Sequence, residues 1–184
     1  MTPIQECIKN KNTKLNPIWI MRQAGRYLPE FREIRAKNTD FIKLCLNESL
    51  STEITLQPIK RFDFDAAIIF SDILMLPFGL GQGVKFEKGL GPKLGELNLD
   101  LIENVSKDEF TKKLNPIYKS ISNISTNTIC ENKDVIGFVG APWTILVYMI
   151  NKMSPKKKLS KEIFKDKLLI SKLLSIIEKF LKIH

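Results

Sequence analysis

The sequence predicts an α/β fold with a parallel sheet. Three short apolar runs have the length of buried strands, and stretches with helical spacing separate them. Two of the runs are almost unbroken in aliphatic residues, as strands covered on both faces require.

Taken in order, Ile18-Trp19-Ile20-Met21 leads into Arg22 and reads either as a strand or as an extended lead-in to a loop. Ala66-Ala67-Ile68-Ile69-Phe70 leads into Ser71-Asp72, and Val135-Ile136-Gly137-Phe138-Val139-Gly140 leads into Ala141-Pro142-Trp143. Pro29 suits the first turn of a helix running to Lys37. Asn47 can cap a helix carrying Leu50, Ile54 and Ile59, with Pro58 kinking its end. Ser106 and Glu109 form a capping box, and Asn115-Pro116 starts a helix with Ile117, Ile121 and Ile124 on one face. Ser160 opens the last helical region, where Leu169, Leu173, Ile176, Ile177 and Phe180 recur at helical spacing. Six of the nine glycines fall between Gly79 and Gly95 and predict a loop. A dinucleotide fingerprint would need glycine where Val84 stands, and a P-loop would need Gly-Lys where Lys88-Gly89 stands, so neither is present.

Composition narrows the function. With 43% hydrophobic and 27% charged residues in 184, the chain has the make-up of an ordinary soluble domain. The segment Met1 to Asn16 has no apolar core of a secretory signal, and the longest uncharged stretch, Val135 to Ile150, falls short of the roughly 20 residues of a spanning helix. Neither secretion nor a membrane is expected. Cys7, Cys45 and Cys130 are far apart and odd in number, which fits a reducing cytoplasm. His184 is the only histidine, so residues 1–183 hold no Ser-His-Asp triad or HExxH zinc site. The basic run Lys156-Lys157-Lys158 stands alone, and no nucleic-acid-binding motif accompanies it.

The net charge is +9, and all five arginines lie in the first 61 residues: Arg22, Arg26, Arg32, Arg35 and Arg61. A chain that elsewhere uses lysine has concentrated the side chain whose planar fork grips carboxylates bidentately. For Arg32 a solvated helix face is the simpler reading. Met21-Arg22-Gln23-Ala24-Gly25-Arg26-Tyr27 reads as a tight turn presenting two guanidinium groups, with Gly25 permitting positive φ or close backbone approach. Such a loop suits a polyanion, or a structural cluster of salt bridges.

Here a family becomes legible. Pro17-Ile18-Trp19-Ile20-Met21-Arg22-Gln23-Ala24-Gly25-Arg26-Tyr27-Leu28-Pro29-Glu30-Phe31 resembles the N-terminal signature of the uroporphyrinogen decarboxylases. Leu56-Gln57-Pro58, Ile68 to Leu74 and Gly137 to Thr144 resemble the same family in the same order. The resemblance implies an incomplete (β/α)8 TIM barrel, a single partial domain over residues 1–184 that lacks the C-terminal barrel strands. It implies a cofactor-free, metal-free enzyme of haem and porphyrin biosynthesis that removes four acetate carboxyl groups from uroporphyrinogen to give coproporphyrinogen. It further implies a cytoplasmic protein that is a homodimer at full length.

By position, the resemblance makes Arg22 and Arg26 ligands of substrate carboxylates, with the backbone of Gln23, Ala24 and Gly25 lining the site. Arg35 adds positive charge, Phe41 an apolar wall, and Tyr148 a hydrogen bond. Asp72 lies under the macrocycle, accepting from pyrrole N–H groups. Arg22 is the implied proton source, but a guanidinium is a very weak acid, which leaves water as the other. Plainer alternatives stand beside these: Asp72 as the cap of a helix near Ile73, Tyr148 as core, Arg35 as a surface charge and Trp143 as packing. The family's serine and histidine come from later strands, and His184, in or just after a helix, does not match that histidine. Two other classes compete: a corrinoid-linked barrel methyltransferase, whose zinc ligands and N-terminal region differ, and a non-catalytic remnant.

Overall fold

The computed structural model describes residues 1–11, 14, 16–87, 89–156 and 165–184. The chain is α/β, with helices on either side of a parallel strand pair in the sequence. It divides into two compact units: Met1–Thr39, Lys43–Ser71 and Pro116–Phe138 form the first, and Asp40–Ile42, Asp72–Asn115 and Val139–His184 the second.

In the first unit, helix α1 (Pro3–Asn10) is capped by the Thr2 side chain. Helix α2 (Pro29–Lys37) begins on Pro29, whose missing N–H costs nothing at that position. A short helix, α3 (Phe41–Cys45), of which Lys43–Cys45 belong to this unit, leads to α4 (Glu48–Phe62), where Asn47 accepts from the Leu50 N–H at 3.0 Å. Pro58 does not end α4, which continues to Phe62. Strand β1 (Ala66–Ile68) is buried throughout. It pairs in parallel with the fourth strand, β4 (Asp134–Ile136), aligning Ala67 with Val135. One core joins Leu56 and Ile59 of α4 to Ala67, Ile69, Ile124 and Cys130. Another joins Leu28, Phe31, Leu44 and Ile54.

In the second unit, helix α5 (Met75–Gly79) precedes strands β2 (Val84–Glu87) and β3 (Gly91–Leu94), which pair antiparallel. The glycine-rich region is therefore a hairpin and not an open loop. Gly89 and Gly91, at φ +77 and +85, carry the turn that L side chains resist. Helix α6 (Leu99–Asn104) is capped by Asn98, and α8 (Pro142–Asn151) starts on its own proline. The closing helix α9 (Lys167–Ile183) is capped by Asp166 and buries Leu173, Ile177 and Phe180. Ser160, Lys157 and Lys158 lie outside the described residues.

One further expectation is corrected, and one open alternative is decided. Ser106 and Glu109 do exchange capping hydrogen bonds, at 2.9 and 3.1 Å, but the helix they start is one continuous α7 (Lys107–Ser125). Pro116 begins no separate helix, because burial of Phe110 and Leu114 before it and Ile117 and Ile124 after it outweighs one lost backbone bond. Ile18 to Ile20 form no strand and Met21 already lies in the turn, so the run is the lead-in to the loop. Ile18 is tied to Asp65, just before β1, its carbonyl accepting from the Asp65 N–H at 2.9 Å and its own N–H donating to the Asp65 carboxylate at 2.6 Å, and the apolar side chains of the run are exposed.

Candidate active site

The arginine loop is held from below by Gln23. This side chain is 2% exposed; its Nε2 donates to the Ala66 carbonyl of β1 at 2.8 Å, and its Oε1 accepts from the Ile20 N–H at 3.3 Å. The Tyr27 hydroxyl donates to the Gln23 carbonyl, and burial pushes the Tyr27 phenol above its ordinary value. Leu28 and Phe31 are sunk in the core beyond the loop. Arg22 and Arg26 project into solvent from this frame. Ala24 and Gly25 are part-buried within it. Gly25 has neither positive φ nor a crowded Cβ position, the nearest atom to an added Cβ being Tyr27 Cδ1 at 3.7 Å, so tightness here does not come from glycine.

Three partners of the loop carried no sequence signal. Arg32 donates to the carbonyls of Arg26 and Tyr27 at 3.0 and 3.3 Å, clamping the loop instead of lying free on a helix face. Arg61 forms a bidentate pair with Glu30, Nε to Oε1 at 3.1 Å and Nη2 to Oε2 at 2.9 Å. The buried role of the Gln23 amide is the third. Arg35 is half-buried and donates to the Asn38 carbonyl at the end of α2.

The second unit holds Asp72, Phe41 and Tyr148. Asp72 follows the end of β1. Its Oδ1 accepts from the Leu74 N–H at 2.8 Å and its carbonyl from the Met75 N–H at 3.1 Å, turning the chain into α5. The N-cap of α5 is Leu74, with no side-chain cap, so Asp72 closes a turn before the helix and does not cap it; no other hydrogen bond reaches its carboxylate among the described residues. Burial raises the Asp72 carboxyl above its ordinary value, and the Leu74 N–H pulls against that.

Gly140 brings α8 against the Asp72 segment. A Cβ there would lie 2.5 Å from Ile145 Cδ1 and 3.1 Å from Ile73 Cβ. Tyr148 stands three residues beyond Ile145, on the same side of α8, and is half-buried. Phe41 packs edge-on against Phe86 of the hairpin, centroids 4.6 Å apart. Trp143, expected as packing, is 53% exposed instead, because it sits in the first turn of α8. His184 packs edge-on against Phe110, in keeping with a structural role. Among the described residues no cluster of His, Cys, Asp and Glu could hold a metal ion, and no helix is long and apolar enough to cross a membrane.

A family model described as uroporphyrinogen decarboxylase matches residues 1–183. The chain belongs to the uroporphyrinogen decarboxylase family. It is 42% identical over 185 residues to a uroporphyrinogen decarboxylase of Campylobacter jejuni serotype O:2, covering 98% of this chain and 54% of that protein. The enzyme of that name from Chelativorans sp. is 45% identical over 145 residues, 79% of this chain and 42% of its own length. That of Brucella anthropi is 47% identical over 134 residues, 73% and 39%. The chain spans about half the length of the curated relatives it matches.

Proposed function

We propose that this chain is the N-terminal part of a uroporphyrinogen decarboxylase barrel that removes acetate carboxyl groups as CO2 without a cofactor. The observation that carries the reading is Asp72, a part-buried carboxylate four residues beyond β1, raised by desolvation and left with one local hydrogen bond among the described residues. A carboxylate in that condition is destabilised until a cationic or N–H-bearing ligand arrives.

The reaction needs such a group. Loss of CO2 from an acetate on a pyrrole would leave a carbanion. Protonation of the adjacent ring carbon makes the pyrrole cationic, and the electron pair of the breaking C–C bond flows into that cation. A second proton then converts the resulting methylene to a methyl group, and the first proton leaves the ring carbon, which restores the neutral pyrrole with one proton taken up for each CO2 lost. Asp72 accepts from the pyrrole N–H groups and stabilises the positive ring, a preorganised charge placed where charge develops. Arg22 and Arg26 bind the remaining carboxylates, and the loop backbone from Gln23 to Gly25 shapes the site with them. Arg35, Phe41 and Tyr148 complete the roles on this chain. Arg22 and water are the two sources open for the ring proton, a guanidinium being a very weak acid in isolation. This reading makes the complete protein a cytoplasmic homodimer.

The test is Asp72→Asn in a complete-length chain, made by joining residues 1–184 to the following part of the Campylobacter relative. At about 4 Å and an effective dielectric near 20, the carboxylate–cation attraction is worth about 4 kcal/mol, which is roughly three decades in rate. Anaerobic formation of coproporphyrinogen should fall by that order while substrate binding, measured separately, changes little. Turnover within threefold of wild type would remove Asp72 from this role.

A further inference from the structure

One feature of the first unit plays no part in that chemistry. An open cleft of about 570 Å³ is lined by Glu30, Glu53, Gln57, Lys60 and Arg61. Gln57 lies in the stretch Ile54 to Ile59, where every residue of α4 is buried, and is itself 6% exposed. Neither its Nε2 nor its Oε1 has a hydrogen-bond partner among the described residues. Buried amides are satisfied in the great majority of native structures, so this one is placed for a partner that arrives from outside.

The neighbours say what kind. Glu53, Gln57 and Lys60 stand at i, i+4 and i+7 and form a line about 10 Å long on α4. The acid and the base at its ends are exposed, and their side chains make no ion pair or hydrogen bond among the described residues. Arg61, held bidentately by Glu30, forms a firm border. An amide demands a donor and an acceptor together, which a peptide group supplies. A line of acid, amide and base spread over this length matches a polypeptide better than a small molecule, which an open cleft would leave in water.

We infer that this face of α4 is the seam on which the part of the family polypeptide following the matched region docks. A peptide or side-chain amide of that part pairs with Gln57, and opposite charges meet Glu53 and Lys60. The inference rests on family membership and on the chain spanning about half the length of its relatives, and needs nothing of the decarboxylation chemistry.

Cysteine labelling tests it. In a Cys7→Ser background, Glu53→Cys, Lys60→Cys and the exposed control Lys112→Cys are placed both in residues 1–184 and in the complete-length fusion. The seam requires that labelling at 53 and 60 slow at least tenfold in the fusion, with 112 unchanged. Equal rates in both forms overturn it. Should the fusion not fold, overlapping synthetic peptides spanning the added part are titrated against the 184-residue chain. A bound peptide must lose at least tenfold affinity to both Gln57→Leu and Glu53→Lys; no binding, or indifference to both, overturns the seam. A protected but inactive fusion would sink the decarboxylase reading alone, and an active fusion with freely labelled 53 and 60 would sink the seam alone.

Discussion

Replacing Gln23 by alanine should loosen the arginine loop without touching either guanidinium. The Ala66 carbonyl is wholly buried and loses the donor that reaches it at 2.8 Å. Leaving a buried acceptor unmade costs about 1–3 kcal/mol. The Ile20 N–H also loses its acceptor, but Ile20 is half-exposed and water replaces it at little cost. Deleting the buried methylenes and leaving a small cavity adds about 1 kcal/mol. The sum is roughly 2–4 kcal/mol, or a fall in Tm of roughly 4–16 °C for a chain of this size. Urea denaturation of the 184-residue chain gives the free energy, and amide exchange at Ile20 and along the loop gives its location. In a complete-length chain, KM should rise more than kcat falls, because a mobile loop presents Arg22 and Arg26 less often in the binding geometry. A loss below about 0.5 kcal/mol with unchanged exchange at Ile20 would mean that the amide does not hold the loop.

Other perturbations probe other parts. Burial raises the Asp72 carboxyl, so its contribution to folding is whole below the unfolded pKa and is lost as pH rises through the higher folded value. Asp72→Asn should therefore raise Tm over wild type at neutral pH and lose that advantage in acid; equal melting at both would show that burial has no such effect. Arg22→Lys and Arg26→Lys keep the charge but lose the bidentate fork, at a cost of about 1.5–3 kcal/mol, roughly one to two decades in affinity or rate. Unchanged kinetics in both would make these arginines structural. Gly140→Ala places a methyl 2.5 Å from Ile145 Cδ1 and should cost about 1–3 kcal/mol, with Asp72 displaced through Ile73. Ile145→Val in the same chain should recover part of that loss, and no recovery would place the strain elsewhere.

How much was legible depended on whether the signal was local. The cap at Asn47, the capping box of Ser106 and Glu109, and the start of α2 at Pro29 follow from side chains meeting backbone within one turn, so sequence alone located them. The continuous helix through Pro116 and the hairpin among the glycines were missed. In the first, distant burial overrode a local helix breaker. In the second, glycines that favour a turn and lack a side chain to pack mask the two short strands they join.

For the site, sequence determined residue types and order: the paired arginines, the aspartate after an apolar strand, and the tyrosine in an apolar helix. Those are properties of the chain, readable without coordinates because family chemistry demands particular functional groups at particular spacings. Tertiary structure alone decided which environment each group meets. The Gln23 amide lies under its loop because Ala66, 43 residues away, offers a buried carbonyl. Arg32 clamps the loop because α2 turns it back toward Arg26. Asp72 is raised because the residues packed around it exclude water, and desolvation is a sum over neighbours in space that no local pattern encodes.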